Sequence, residues 1–150
     1  MRTPIHNVAT ASILGLLLAG GTIAQAMTGL PPTHKSGSVE YLSGGIGSDE
    51  AAAIQRASKQ WPLTLEFAVK DKHRADFVSD VTMAVRDSNG RPVLQAESDG
   101  PFVLARLAPG SYSVDATLGG KTLHEQVVVK RGEPAKAEFL WPAGTGRTHS

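Results

Sequence analysis

From Leu63 to Trp141, apolar and polar residues alternate with a period of two, broken by turn signals about every ten residues. Leu63, Leu65, Phe67 and Val69 alternate with Thr64, Glu66, Ala68 and Lys70, which predicts a half-buried strand. After the polar loop Asp71–Asp76, the stretch Phe77–Arg86 points Val81, Met83 and Val85 inward. Asp87-Ser88-Asn89-Gly90 predicts a hairpin, because Asn-Gly tolerates the positive φ angles of a type I′ turn. Val93–Glu97 and Phe102–Leu107 follow, separated by Ser98-Asp99-Gly100. Beyond Ala108-Pro109-Gly110 lies the cleanest alternation: Tyr112, Val114, Ala116 and Leu118 against Ser111, Ser113, Asp115 and Thr117. Gly119-Gly120 turns into Thr122–Val129, and Arg131-Gly132-Glu133-Pro134 into Ala135–Trp141, where Ala137, Phe139 and Trp141 share a face. The pattern predicts an all-β domain, a seven-stranded antiparallel sandwich over residues 63–141.

Upstream the period changes to that of a helix. Ser48 suits the N-cap, Asp49 and Glu50 suit the positive end of the helix dipole, and Ala51-Ala52-Ala53 have high helix propensity. Ile54, Ala57 and Trp61 then fall on one stripe before Pro62. A helix is expected over residues 48–61, too short to stand alone and therefore docked on the sheet. Residues 27–47 are rich in Pro, Gly, Ser and Thr and read as a flexible leader with a short extended segment at Val39–Leu42. Residues 142–150 read as a disordered tail.

The first 26 residues carry Arg2, an apolar run from Val8 to Ile23 and Ala24-Gln25-Ala26, the three parts of a secretory signal peptide. Cleavage is expected after Ala26, giving a periplasmic or secreted protein. The apolar run is softened by Thr10, Ser12, Gly15, Gly20, Gly21 and Thr22 and falls short of the roughly 20 residues of a spanning helix, so no membrane insertion is expected after cleavage.

Composition narrows the chemistry. The chain has 15 Lys+Arg against 14 Asp+Glu, a net charge of +1, which lacks the broad positive field that nucleic acid needs. With no cysteine there is no disulfide framework, thiol nucleophile or zinc–thiolate site.

Gly100–Ala116, read GPFVLARLAPGSYSVDA, is the most characteristic stretch. It resembles the G-x-F-x-x-x-x-L-x-P-G-x-Y-x-V core of carboxypeptidase regulatory-like domains, through Gly100, Phe102, Leu107, Pro109, Gly110, Tyr112 and Val114. Val85, Asp87, Gly90 and Val93 match the element that precedes this core in such domains, with Met83 at its first position. The resemblance covers about Leu63 to Trp141 and implies a transthyretin-like fold without implying an activity. Physically, the motif specifies shape: Pro109-Gly110 turns the chain with Gly free to take positive φ, Tyr112 can donate its hydroxyl to the backbone upstream, and Phe102, Leu104 and Leu107 supply core.

Nothing in the sequence assembles a reaction centre. His34, His73, His124 and His149 are scattered and lack the paired spacing of metal ligands. Ser43, Ser48, Ser58, Ser111 and Ser113 sit in no G-x-S-x-G setting, and the SGGIGSDE glycines precede Asp49 and Glu50 rather than a phosphate-loop lysine. Asp71, Asp76, Asp80, Asp87 and Asp99 lie near hairpin ends, where turns explain them. The chain also departs from the transthyretin-like hydrolases of purine breakdown, which end in Tyr-Arg-Gly-Ser, whereas this one ends in GRTHS. The expectation is a non-catalytic binding or interaction module, with no cofactor and with an envelope protein or glycan as partner. Strand addition at a sheet edge or the hairpin loops at one end would form its surface. In the alternative reading it is a carbohydrate-binding module that stacks sugars on Trp61 or Trp141, residues that otherwise plug the core.

Overall fold

A computed structural model of the chain describes residues 29–146. The expected signal peptide and residues 147–150 of the expected tail lie outside the described residues. Among those described, no helix is long and apolar enough to cross a membrane. Two strands come first, β1 (His34–Ser36) and β2 (Val39–Gly44), followed by helix α1 (Ser48–Ala57) and a 3-10 turn (Ser58–Gln60). Eight more strands follow: β3 (Leu63–Lys70), β4 (Ala75–Phe77), β5 (Thr82–Arg86), β6 (Pro92–Glu97), β7 (Phe102–Ala105), β8 (Gly110–Leu118), β9 (Lys121–Val129) and β10 (Ala135–Trp141). They form a large sheet of order β1-β2-β7-β3-β10, with β4 also paired to β3, and a small sheet of order β6-β5-β8-β9. The molecule is thus an all-β sandwich with one helix.

Each strand expected from the alternation has its counterpart in β3 or β5–β10, and three strands come in addition. β1 and β2 form an antiparallel hairpin inside the stretch read as a leader, and β2 extends the large sheet by pairing with β7. That segment has few apolar residues, but its backbone groups are satisfied by the neighbouring strand. Phe77 does not begin a long strand; it ends β4, which pairs with β3 at Ala68↔Phe77. The expectation of a wholly antiparallel sandwich is corrected at β10, which runs parallel to β3 from Ala135↔Leu63 to Trp141↔Val69. Parallel neighbours need a long connection, and the whole small sheet lies within this one.

The core has two layers. Between the sheets, Leu63, Leu65 and Phe67 of β3 meet Val85 of β5, Val114 of β8 and Phe139 of β10. On the other face of the large sheet, Leu42, Phe102 and Leu104 meet Ile54 of α1 and Trp61. Phe102 and Leu104, expected to supply core, do so in this second layer. The residues between and after them, Val103 and Ala105, face the sandwich interior. Burial on both faces is why β7 is apolar throughout rather than alternating.

Side-chain hydrogen bonds bridge the two sheets on both sides. The amide of Gln95 donates to Ser36 Oγ at 3.1 Å and Ser36 Oγ donates to the Gln95 carbonyl at 3.3 Å, so β1 clasps β6. On the opposite side, Trp141 Nε1 donates to the Lys121 carbonyl at 2.9 Å, tying β10 to β9.

Several local expectations change. The helix N-cap is Gly47 rather than Ser48, and Glu50 reaches back to accept the Gly45 N–H at 2.7 Å. The α-helix ends at Ala57, three 3-10 residues follow, and Trp61 is already extended at φ −109°, because the residue before a proline is excluded from helical geometry. At Asp87–Gly90 the turn is not type I′: among described non-glycine residues only Asp80 has positive φ. Gly90 N–H instead donates to the Asp87 carbonyl at 2.9 Å, and Asp87 Oδ1 accepts the amides of Asn89 and Arg91 at 2.9 Å each. The type I′ pattern occurs at Gly119-Gly120, with φ of 55° and 76°. Residues 142–146, expected as disordered tail, form a turn seated on that hairpin, with Thr145 Oγ1 donating to the Pro142 carbonyl at 2.7 Å. A methyl group at Gly119 would lie 2.8 Å from the Gly146 backbone.

Candidate functional site: a basic cleft at one end of the sandwich

Three chain-distant pieces meet at one end of the sandwich: the 3-10 turn after α1, the β7–β8 connection and the β9–β10 connection between the sheets. They enclose a cleft of about 310 Å³. Each piece is held for a local reason. The β9–β10 connection makes a tight turn closed by Glu133 N–H donating to the Lys130 carbonyl at 3.3 Å, with Gly132 at φ 75°, the position that asks for glycine in a type II turn. Its exit is tied across the cleft, where Ala135 N–H donates to the Pro62 carbonyl at 2.9 Å. The β7–β8 connection is held by Tyr112, whose hydroxyl donates to the Ala108 carbonyl at 2.6 Å, a tyrosine corner.

The cleft concentrates positive charge on a nearly neutral chain. Lys59, Arg106, Lys130 and Arg131 line it, with Glu133 as its one carboxylate. Arg106 is the most constrained of the four. Its amide donates to the Glu40 carbonyl at 2.9 Å, its Nε pairs with Glu40 Oε1 at 3.2 Å, and its Cζ stands 4.0 Å from the centre of the Trp61 ring. A guanidinium over an indole is attracted by the ring quadrupole, so the stack fixes the plane of the side chain as Glu40 fixes its direction.

The tryptophans of the sugar-stacking reading therefore occupy different settings. Trp61 lines the cleft but is 6% exposed, and Arg106 covers its face. Trp141 has no exposure at all; it packs in the core beside Phe139 and Phe67, with ring centres 6.2 and 6.1 Å away. No ring face of Trp141 is available to a ligand. Of the motif residues, Leu107 and Pro109 line the cleft and Tyr112 braces it, whereas Phe102 lies in the layer under α1. Gly100 sits against the backbone of Gly44, and Gly110 does not use positive φ.

Other candidate groups are placed elsewhere. His124 Nδ1 and Asp115 Oδ1 form a close pair between β9 and β8 on the exposed face of the small sheet. The Ser43 hydroxyl accepts the Asp99 amide at 2.8 Å and that of Ser98 accepts the Val81 amide at 3.0 Å, so both are structural. Among the described residues no three His, Asp or Glu side chains converge as metal ligands. A second concavity of about 440 Å³ lies elsewhere, lined by residues that include Ile46, Ala51, Phe77 and Pro101, with no charged side chain in its wall. No protein-family model matches the sequence, and a search of the curated proteins finds no similar one.

The tyrosine corner carries a stability prediction. Tyr112→Phe removes the bond to Ala108 and is expected to cost about 1 kcal/mol, measured by urea denaturation. Burial, and secondarily the charge of Asp87, raise the Tyr112 pKa above its ordinary 10.0. The proton is then held more tightly in the folded state, so stability present at neutral pH falls as pH rises past the unfolded value. Lys136 acts in the same direction: its pKa is raised, chiefly by its hydrogen bond to Glu66 at 2.7 Å. Stability should decline above about pH 10, and less steeply in Tyr112→Phe; equal slopes would contradict the phenol's part.

Proposed function

We propose that the chain is an exported, non-catalytic binding module of carboxypeptidase regulatory-like, transthyretin-like architecture, and that it binds an envelope ligand in the basic cleft. The observation that carries this reading is the braced arginine. Glu40 and Trp61 hold Arg106 rigidly at the mouth of a concave site built from loops on a stable sandwich, where recognition surfaces are commonly found. A catalytic reading has less support, because the one His–carboxylate pair lies on an open sheet face rather than in the cleft.

Tryptophan emission tests the proposal. In a Trp141→Phe background only Trp61 emits, and Trp61 lies in the wall of the cleft. A ligand from a panel of envelope glycans and envelope proteins is expected to shift or quench that emission saturably. An unresponsive Trp61 across the whole panel, with no envelope protein recovered by in-cell crosslinking, would count against a binding role for the cleft.

A further inference from the structure

Resting on that reading, we infer that the cleft takes a carboxylate-bearing sugar unit and that Arg106 is the residue that reads the carboxylate. Glu40 occupies Nε of Arg106, and the side chain remains 49% exposed. Neither of its terminal nitrogens has a carboxylate partner among the described residues. That leaves the forked end of a planar guanidinium, already fixed in orientation, to make paired hydrogen bonds to a planar two-oxygen acceptor. Lys59, Lys130 and Arg131 add attraction for an anion, against Glu133 and the Glu40 carboxylate already paired with Arg106.

The walls argue for a sugar as the carrier. Pro62, Pro109 and Pro134, backed by the buried side chains of Leu107 and Val129, present apolar C–H surface of the kind that covers the C–H face of a pyranose. The volume of about 310 Å³ lies at the small end of the ~300–1,000 Å³ range of small-molecule sites. An acidic peptide fits less well. Capturing an extended chain by strand addition requires free backbone groups, and the amides of Glu133 and Ala135 in the β9–β10 connection are already bonded to Lys130 and Pro62. A neutral sugar would leave the arginine fork unused, and Arg106 already covers the Trp61 face on which it would stack.

Isothermal titration of the full chain at low salt decides the matter, with trigalacturonate, neutral maltotriose, inorganic phosphate and a glutamate-rich peptide as probes. Trigalacturonate is expected to bind saturably, at least about tenfold more tightly than maltotriose, with affinity falling as salt rises. Arg106→Lys keeps the charge but loses the fork, and should weaken trigalacturonate about tenfold while a cooperative melt shows the variant still folded; Arg106→Gln should weaken it further. Equal affinity for maltotriose, with Trp61 still responding, would overturn the carboxylate inference and leave the binding module standing. Binding of phosphate or the peptide in place of the sugar acid would overturn the sugar class in the same way. No response of Trp61 to any probe would remove support from both, and trigalacturonate affinity indifferent to both Arg106 variants would overturn the role given to that residue.

Discussion

Replacing Gly100 by alanine should lower the unfolding free energy by about 3 kcal/mol or more, whereas the same change at Gly110 should stay within about 0.5 kcal/mol. Both glycines belong to the motif Gly100–Val114, and side by side in the sequence they look equally indispensable. Their surroundings differ. A methyl group on Gly100 would lie 2.3 Å from the carbonyl oxygen of Gly44 and 2.8 Å from its Cα, so the opposing backbone itself would have to move. That backbone is the last residue of β2, and the next residue is pinned by the Gly45 N–H bond to Glu50, with Gly45 at φ 101° close to the Phe102 ring. The displacement would therefore propagate into the layer under α1. At Gly110 the nearest atom is 3.7 Å away, on the Tyr112 ring, and φ is not positive, so a methyl group makes ordinary contact. Urea denaturation of the two variants measures the difference; similar losses at both sites would contradict it.

Trp141→Ala should be the costliest single side-chain truncation, about 3–5 kcal/mol. The indole has no exposure and is the largest wholly buried side chain described, so its removal opens a cavity that Phe67 and Phe139 cannot fill without leaving their mutual contact at 5.6 Å. The substitution also removes the Nε1 bond to Lys121 that ties β10 to β9. Trp141→Phe keeps most of the volume and loses mainly that bond, for about 1 kcal/mol. Thermal melts of the two variants should fall in that order. A Trp141→Ala protein as stable as Trp141→Phe would mean that the aromatic cluster does not hold the sheets together.

The contrast between the glycines shows where the sequence stops being legible. The alternation of Tyr112–Leu118 is a direct projection of one buried and one more exposed face, so that strand could be read from it. Leu63–Lys70 could also be read as a strand, but not as the half-buried one its alternation predicts, because Thr64 and Ala68 on its other face are buried as well. β1 could not: His34-Lys35-Ser36 has no apolar period and exists as a strand only because β2 lies beside it. The parallel pairing of β10 with β3 joins segments far apart in the chain, and no local pattern encodes it. Tyr112 could be read because its partner, Ala108, is four residues away. The cleft could not, since Lys59, Arg106 and Lys130 come from three connections, and a net charge of +1 conceals their convergence. The available signal was positional: basic residues in both RLAPG and KRGEP, two connections that a sandwich can bring to one end. Of the tryptophans weighed as ligand contacts, Trp61 lines the cleft under an arginine whose part no sequence pattern announced.

The central claim, that ligand enters the cleft between the 3-10 turn, the β7–β8 connection and the β9–β10 connection, is tested most directly by mapping amide shifts of the 15N-labelled chain during titration with trigalacturonate. Saturable shifts confined to residues 59–62, 106–109 and 129–134 are the predicted result. Shifts centred instead on Ile46 and Phe77, or on the His124–Asp115 face of the small sheet, would contradict it.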